Sequence, residues 1–441
     1  MRRLTILLAL AAVAMVASVA VADAKLDPKE VLSVKNGRFY LEGKPFAEIS
    51  FNKFDLFWQL YGILHEGKGD TQQYKDMIAA QDQALRELHE MGFKTIRFFA
   101  LPWGIWDFRD TYPDPVKREK IFYKAMDTAL DLCDKNNIKV VYSLGAGNFT
   151  DASWKDGKIV QGKEQLRDLI GNPNSENRKF LYQYIDDVVT RYKNRKTIAM
   201  WEISNEVTLT ADVMPDHDNI VDGQRMPSLK DVSEYFDSVT KRIKKNDSLR
   251  LVNSGGSSLR PSQWTQYTKH KWGTDTVDEQ FKAFKMLYGN TAIDIIDIHY
   301  YPGPKWGDMV IGEDGKETAM SLRRYMNMAK MLNKPLYVGE CGTSPLAKDD
   351  PNNKQIFEET PDYLDSYQDP IAQKWVQRML DEIVDSGVQL SHWWEYSSNR
   401  DVDQVRTSFD LKKGKTDPVL RQIIDANKRL KAKLRIPSSD S

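Results

Sequence analysis

Apolar residues recur along this chain with two alternating periods. Short runs rich in Val, Ile, Phe and Tyr occur at FAEISF (46–51), KTIRFFA (94–100), IKVVYSL (138–144), IAMWEIS (198–204), LRLVNSG (249–255), IDIIDIHYY (293–301), KPLYVGE (334–340) and VQLSHWW (388–394). Runs of this length and composition predict buried strands. Between them the apolar positions spread to every third and fourth residue, as in QDQALRELHEMG (81–92), YKAMDTALDLCDKN (123–136), FLYQYIDDVVTRY (180–192), VSEYFDSVTKRIKK (232–245), SLRRYMNMAKMLN (321–333) and KWVQRMLDEIVDS (374–386). That spacing predicts amphipathic helices. Eight strands alternating with helices place the chain in the α/β class as a (β/α)8 TIM barrel. A doubly wound sheet fits less well, because no Gly-rich phosphate turn follows the first strand. Ahead of the barrel, VLSVKNGRFYLEGKPF (31–46) sets Asn36-Gly37 between two short β-prone runs, which predicts a small N-terminal β-hairpin cap.

The segments that follow strands are much longer than those that precede them. Residues 145–178, 207–230, 301–320 and 341–372 are rich in Gly, Pro, Asn and Asp. In a barrel these lie on the C-terminal face, where active sites are built, and they predict walls around a cleft. Trp58, Trp103, Trp106, Trp154 and Trp306 are expected on these top loops, as sugar platforms or as loop packing.

Composition narrows the class. The 441 residues are 41% hydrophobic and 29% charged, which suits a globular chain with a large core. Arg2 and Arg3 precede an apolar run from Leu4 to Val21, and Ala22-Asp23-Ala24 has the small-x-small form of a cleavage site. Residues 1–24 are therefore expected to be a signal peptide and residues 25–441 a single catalytic domain, secreted or periplasmic. The 63 basic and 63 acidic residues balance, so nothing points to nucleic acid or, after signal cleavage, to a membrane as partner. Two cysteines, Cys133 and Cys341, offer neither a disulfide framework nor a zinc cluster, and the six histidines include no His-x-His on an early strand. No cofactor and no metal are expected, and the chain is expected to act as a monomer.

The chemistry lies at the strand ends. Glu206 is expected to end the fourth strand and Glu340 the seventh, so both project into one mouth although they are far apart in sequence. Two carboxylates facing one cleft are the minimum for retaining glycoside hydrolysis. Arg97 would be a buried unpaired cation unless it meets carboxylates inside the barrel, and bonding to Glu340 would hold that group ionised, as a nucleophile needs. His299 and Tyr301 share one face of the sixth strand because side chains alternate. Trp393 and Trp394 fall on opposite faces of the eighth, and Trp394 is taken as the sugar platform. Glu202 has the parity of Glu206 but lies deeper, and reads as a partner for an internal arginine or a backbone group; Glu395 is left open.

These residues, taken in order, resemble clan A glycoside hydrolases, most nearly family 5 and its β-mannanase and cellulase branches. The similar stretches are NGRFYLEGKPFAEISFN, LHEMGFKTIRFF with Arg97, WEISNE with Asn205 and Glu206, IDIHYYP with His299 and Tyr301, and KPLYVGECG with Glu340. The resemblance implies that Glu206 is the acid/base and Glu340 the nucleophile. It further implies that Asn205 bonds the sugar 2-hydroxyl, that Tyr301 bonds the nucleophile and that His299 supports the acid/base. Val207 stands where many relatives carry Pro, and Cys341 where many carry Phe. The expected activity is that of an endo-β-1,4-mannanase on a polysaccharide or oligosaccharide substrate. An endo-β-1,4-glucanase, an exo-acting β-glycosidase and a non-catalytic carbohydrate-binding barrel are the alternatives.

Overall fold

The computed structural model describes residues 26–100, 111–145, 153–155, 158–160, 163–212, 226–301, 309–342, 370–396 and 418–437. Eight parallel strands form its centre: β1 (Glu48–Asn52), β2 (Thr95–Phe99), β3 (Lys139–Ser143), β4 (Ile198–Glu202), β5 (Val252–Asn253), β6 (Ile296–Tyr300), β7 (Leu336–Cys341) and β8 (Leu390–Trp393). They are bonded side by side in the order β5-β4-β3-β2-β1-β8-β7-β6. A parallel bridge between Asn253 and Ile295 joins the two outer strands, and the N–H groups of Asp294 and Ile295 both donate to the Val252 carbonyl. The sheet thus closes on itself as the (β/α)8 barrel that the alternating pattern predicts.

Each barrel strand carries two chemistries because its side chains alternate. In β1, Ile49 and Phe51 pack outward in the large core shared with the helices, while Glu48, Ser50 and Asn52 alternate with them and are equally buried. The helices that cover the outside include α1 (Asp55–His65), α2 (Gln72–Glu90), α3 (Lys124–Lys135), α4 (Glu176–Tyr192), α5 (Leu229–Asn246), α6 (Val277–Tyr288), α7 (Leu322–Met331), α8 (Pro370–Ser386) and α9 (Pro418–Leu434). Six of them overlap the six helical patterns in the sequence. The pattern does not reveal α1, DLFWQLYGILH, because Leu56, Phe57, Leu60, Tyr61, Ile63 and Leu64 are all buried and leave little polar stripe. This helix also corrects the placement of Trp58, which lies within α1 and not on a top loop. The last helix, α9, is pinned to β1 by Asn427, whose side chain accepts from the Ile49 N–H at 2.7 Å and donates to the Ile49 carbonyl at 2.8 Å. None of the described helices is long and apolar enough to cross a membrane.

The N-terminal hairpin pairs Ser33–Lys35 with Arg38–Leu41, with Lys35 opposite Arg38. Asn36 and Gly37 between them both have positive φ, as a two-residue hairpin turn requires. Its Leu32, Phe39, Leu41 and Phe46 pack with Val141, Met200, Ile295, Tyr337 and Leu390 in a separate apolar cluster. The hairpin is a plug at the N-terminal end of the barrel, opposite the end where the candidate site lies.

Candidate active site

The inward side chains at the C-terminal ends of the strands form a connected set of charges around Arg97. Its guanidinium is fully buried. Nε and Nη2 donate to Glu202 at 2.8–3.0 Å, Nη1 donates to Glu340 at 2.9 Å and to Asn52 at 2.8 Å, and Nη2 also donates to Asn205 at 2.7 Å. Burial works against this cation, and the carboxylates of Glu202 and Glu340 outweigh it, so that Arg97 is held even more firmly protonated than usual. Asn52 extends the set by donating to the carbonyls of Gly339 and His392.

Glu340 and Glu206 meet through His299. Nδ1 of His299 lies 2.9 Å from Glu206 Oε1 and 3.4 Å from Glu340 Oε2. One oxygen of each carboxylate and a ring nitrogen of His299 all fall within 4.8 Å of one another. Tyr301 donates its hydroxyl to Glu340 Oε2 at 3.1 Å. Burial, together with the charges of Glu340 and Glu206, pushes the Tyr301 phenol far above its usual range, so it remains a donor. For Glu206, burial favours the neutral acid, but the hydrogen bond from His299, aided by Arg97, holds its carboxyl below the ordinary value.

Local backbone irregularities aim both glutamates. The fourth strand stops at Glu202, and Glu206 sits beyond it in a turn rather than at the strand end itself. Its φ of 53° is in the left-handed region, which costs a non-glycine residue about 1–2 kcal/mol. The Glu206 N–H is fixed to the Gly255 carbonyl at 2.7 Å. A side chain at Gly255 would put its Cβ 1.5 Å from the Ser204 carbonyl oxygen, so the two turns can pack this closely only with glycine there. On β7 the register with β6 shifts: Ile298 lies opposite Val338, but His299 lies opposite Glu340. Gly339 is the extra residue of a bulge, and such bulges re-aim the following side chain. Strict alternation from the inward Tyr337 would turn Glu340 outward; the bulge turns it in.

All the residues expected at the site from sequence, Arg97, Asn205, Glu206, His299, Tyr301, Glu340 and Trp394, lie on this end of the barrel, and all except Trp394 are linked by the contacts above. Trp394 is partly exposed and stacks on Phe54 at 5.4 Å between ring centroids, whereas Trp393 is fully buried in the outer core. Glu395 is buried as well. Trp103, Trp106 and Trp306 lie outside the described residues, as do residues 1–24 and the side chain of Trp154.

Two inward residues that were not singled out, Asn52 and Asp297, complete the site, while Glu202 partners the internal Arg97 as expected. Asn52 bonds Arg97, and Asp297, fully buried below His299, accepts the Gly339 N–H at 2.7 Å. Their signal was available as parity: Glu48-Ser50-Asn52 and Asp297-His299-Tyr301 are polar residues alternating inside apolar runs.

Comparison with known proteins bears on the family and the fold. The sequence profile of Cellulase (glycosyl hydrolase family 5) matches residues 51–393. Among curated proteins, mannan endo-1,4-beta-mannosidase 3 of Arabidopsis thaliana is 23% identical over 337 residues, covering 70% of this chain and 71% of that protein. Mannan endo-1,4-beta-mannosidase 5 of Solanum lycopersicum is 22% identical over 349 residues, covering 74% of this chain and 73% of its own length. Among solved structures, a glycoside hydrolase family 5 mannosidase from Rhizomucor miehei superposes with a TM-score of 0.57 at 18% identity, over 93% of this chain and 99% of that one. An exo-beta-1,4-mannosidase from Opitutaceae bacterium strain TAV5 gives a TM-score of 0.55 at 17% identity, over 91% of this chain and 63% of that one.

Proposed function

This chain belongs to glycosyl hydrolase family 5, and on that premise we propose that it is a retaining β-glycosidase that cleaves β-1,4-mannan internally. The observation that carries the mechanism is the approach of Glu206 and Glu340 to within 4.8 Å through one oxygen of each. Double displacement uses carboxyl groups about 5–5.5 Å apart, whereas inversion needs roughly 6.5–9.5 Å to seat a water between them. In the first half, Glu340 attacks the anomeric carbon while Glu206 gives a proton to the departing oxygen. The sugar is then joined to Glu340 as an ester. In the second half, Glu206 takes a proton from water, whose oxygen attacks the same carbon from the face the leaving group vacated, and Glu340 departs as carboxylate. The β configuration is kept.

The surroundings suit these roles. Arg97 and Tyr301 each hold one oxygen of Glu340, leaving the group oriented rather than free to rotate. The ionised form of Glu206 that His299 favours is the base of the second half, and the first half draws on the protonated fraction. The mannan assignment is supported by the curated mannan endo-1,4-beta-mannosidases named above, all at low identity. The leader at residues 1–24 supports export, and a mature N-terminus near Lys25 is what N-terminal sequencing should find.

The test is a panel of β-mannan, glucomannan and cellulose with product sizing and early NMR of the reducing ends. Mannan cut to mixed oligosaccharides with the β-anomer appearing first supports the proposal. Release of single sugars would make the enzyme exo-acting, cellulose as the better substrate would make it a glucanase, and an initial α-anomer would overturn the mechanism.

A further inference from the structure

Below His299 lies a group that the mechanism above does not use. Asp297 precedes His299 by two residues on β6, so both point into the barrel. Its Oδ1 accepts the N–H of Gly339, the bulge residue next to Glu340, at 2.7 Å. Its Oδ2 has no hydrogen-bond partner among the described residues, and neither has Nε2 of His299. These two orphaned buried atoms are 4.0 Å apart. The carboxyl rests directly against β7, because a Cβ at Gly339 would come within 2.5 Å of Oδ2 and 2.8 Å of Oδ1. The bulge that aims the nucleophile thus also makes the space in which Asp297 sits under the histidine.

The surroundings decide which proton state Asp297 holds. Arg97 from β2 already serves Glu202 from β4 and Glu340 from β7, and Tyr337 from β7 is turned to His392 on β8 at 2.7 Å. A third carboxylate in that space would lack a counterion of its own. Burial and the negative charge of Glu202 hold the Asp297 carboxyl far above its ordinary range, Arg97 notwithstanding. A neutral acid has one hydrogen to give, and the unpartnered Nε2 is the acceptor in front of it.

We propose that Asp297 is a positioning residue which, as a neutral carboxylic acid, donates from Oδ2 to Nε2 of His299 and so fixes the tautomer whose Nδ1–H faces Glu206. The 4.0 Å gap closes by a small tilt of the ring or of the carboxyl. The chain of donors then runs from Asp297 through His299 to Glu206, and neither Oδ2 nor Nε2 is left without a partner. A histidine without this support can carry its hydrogen on Nε2 instead, leaving Nδ1 as a lone pair opposite a carboxylate. The catalytic consequence rests on the reading of Glu206 as acid/base; the tautomer does not.

Nitrogen NMR of His299 in the full-length protein, without substrate, reads the tautomer directly. Near neutral pH the proposal expects Nδ1 protonated and Nε2 bare. An Nε2–H tautomer, or an imidazolium, would overturn it even if the glycosidase assignment stands. Asp297→Asn keeps an acceptor for Gly339 and offers an N–H to Nε2, so it should preserve the tautomer, kcat and the pH profile within about threefold. Asp297→Ala should release the tautomer, lower kcat about tenfold or more with KM little changed, and move the alkaline limb of kcat/KM. If Asp297 were instead an ionised counterion, Asn would behave like Ala and the proposal would fail. If Asp297→Ala is active with an unchanged tautomer, Asp297 serves only to hold the Gly339 bulge, and the proposal fails by that route. Should Asp297→Ala not fold, the NMR measurement on the unmodified protein and the Asn variant still decide the matter.

Discussion

The two ends of the barrel interior are built from the same eight strands and differ in almost everything else. At the N-terminal end, Val141, Met200, Ile295, Tyr337 and Leu390 meet Leu32, Phe39, Leu41 and Phe46 of the hairpin and make a sealed apolar floor. At the C-terminal end, two to four residues further along the β4, β6 and β7 segments and on the neighbouring β1 and β2, the inward positions are Asn52, Arg97, Glu202, Asp297, His299 and Glu340, all buried. The first region gains stability by removing apolar surface from water. The second spends stability to hold charges away from water, and remains folded because almost every charged atom meets an opposite charge or a hydrogen-bonding group. A barrel closed at one end by packing can therefore keep reactive groups at the other, where substrate enters.

The largest effect should come from removing the nucleophile. Glu340→Ala is expected to lower kcat on an aryl glycoside on the order of 10⁴-fold or more, while the unfolding midpoint changes little, because Arg97 keeps Glu202. Equal losses of activity and stability would undo the contrast drawn here.

Arg97→Leu attacks the same region at its centre. It leaves Glu202 and Glu340 without their cation, and removing one partner of a buried ion pair costs about 3–5 kcal/mol. Urea unfolding should show that loss together with the disappearance of turnover.

In the floor the two readouts should separate. Leu41→Ala removes a buried side chain of the plug and should cost about 2–5 kcal/mol in unfolding free energy, yet leave kcat/KM of the remaining folded protein within about twofold. A large fall in kcat would show that the floor and the site are coupled.

Glu48 marks the border between the regions and gives stability a pH dependence. Its carboxyl accepts from the Lys94 and Thr95 N–H groups and from the Thr95 hydroxyl, yet burial outweighs these bonds and raises it to about 7. A folded-state acid that binds its proton more tightly than the unfolded chain contributes stability at low pH and loses it as pH rises. Stability should therefore fall between pH 4.5 and about 7, by roughly 3 kcal/mol at 1.36 kcal/mol per unit. Glu48→Gln should flatten that slope in unfolding measured across this range.

The smallest change is a displacement of a pH limb. His299 holds Glu206 below the ordinary carboxyl value, against the effect of burial. His299→Gln should let that value rise and move the alkaline limb of kcat/KM to higher pH, because the acid of the first half then keeps its proton longer. A limb that stays in place, with Glu206 still required, would assign it to another group.

What the sequence determined by itself is the eight strands, six of the helices and the side of the barrel on which chemistry occurs. Strand-length apolar runs alternating with helical periods leave few architectures that bury both, and Asn36-Gly37 marks its own turn, since these are local preferences of nearby residues. Parity within a strand is equally local, which is why His299 and Tyr301 could be placed on one face. Tertiary structure decided the rest. Period two alone cannot foresee the register shift at Gly339 that turns Glu340 inward, nor the left-handed turn that throws Glu206 past the end of β4. The near-continuous apolar run of α1 gave no stripe to read, because its surroundings cover most of its circumference. Above all, the partners of Arg97 come from β1, β4, the turn after β4, and β7, so its burial makes sense only after the barrel closes. Periodicity records how each segment meets water or core, whereas the balance of buried charge is a sum over strands that lie far apart in the chain.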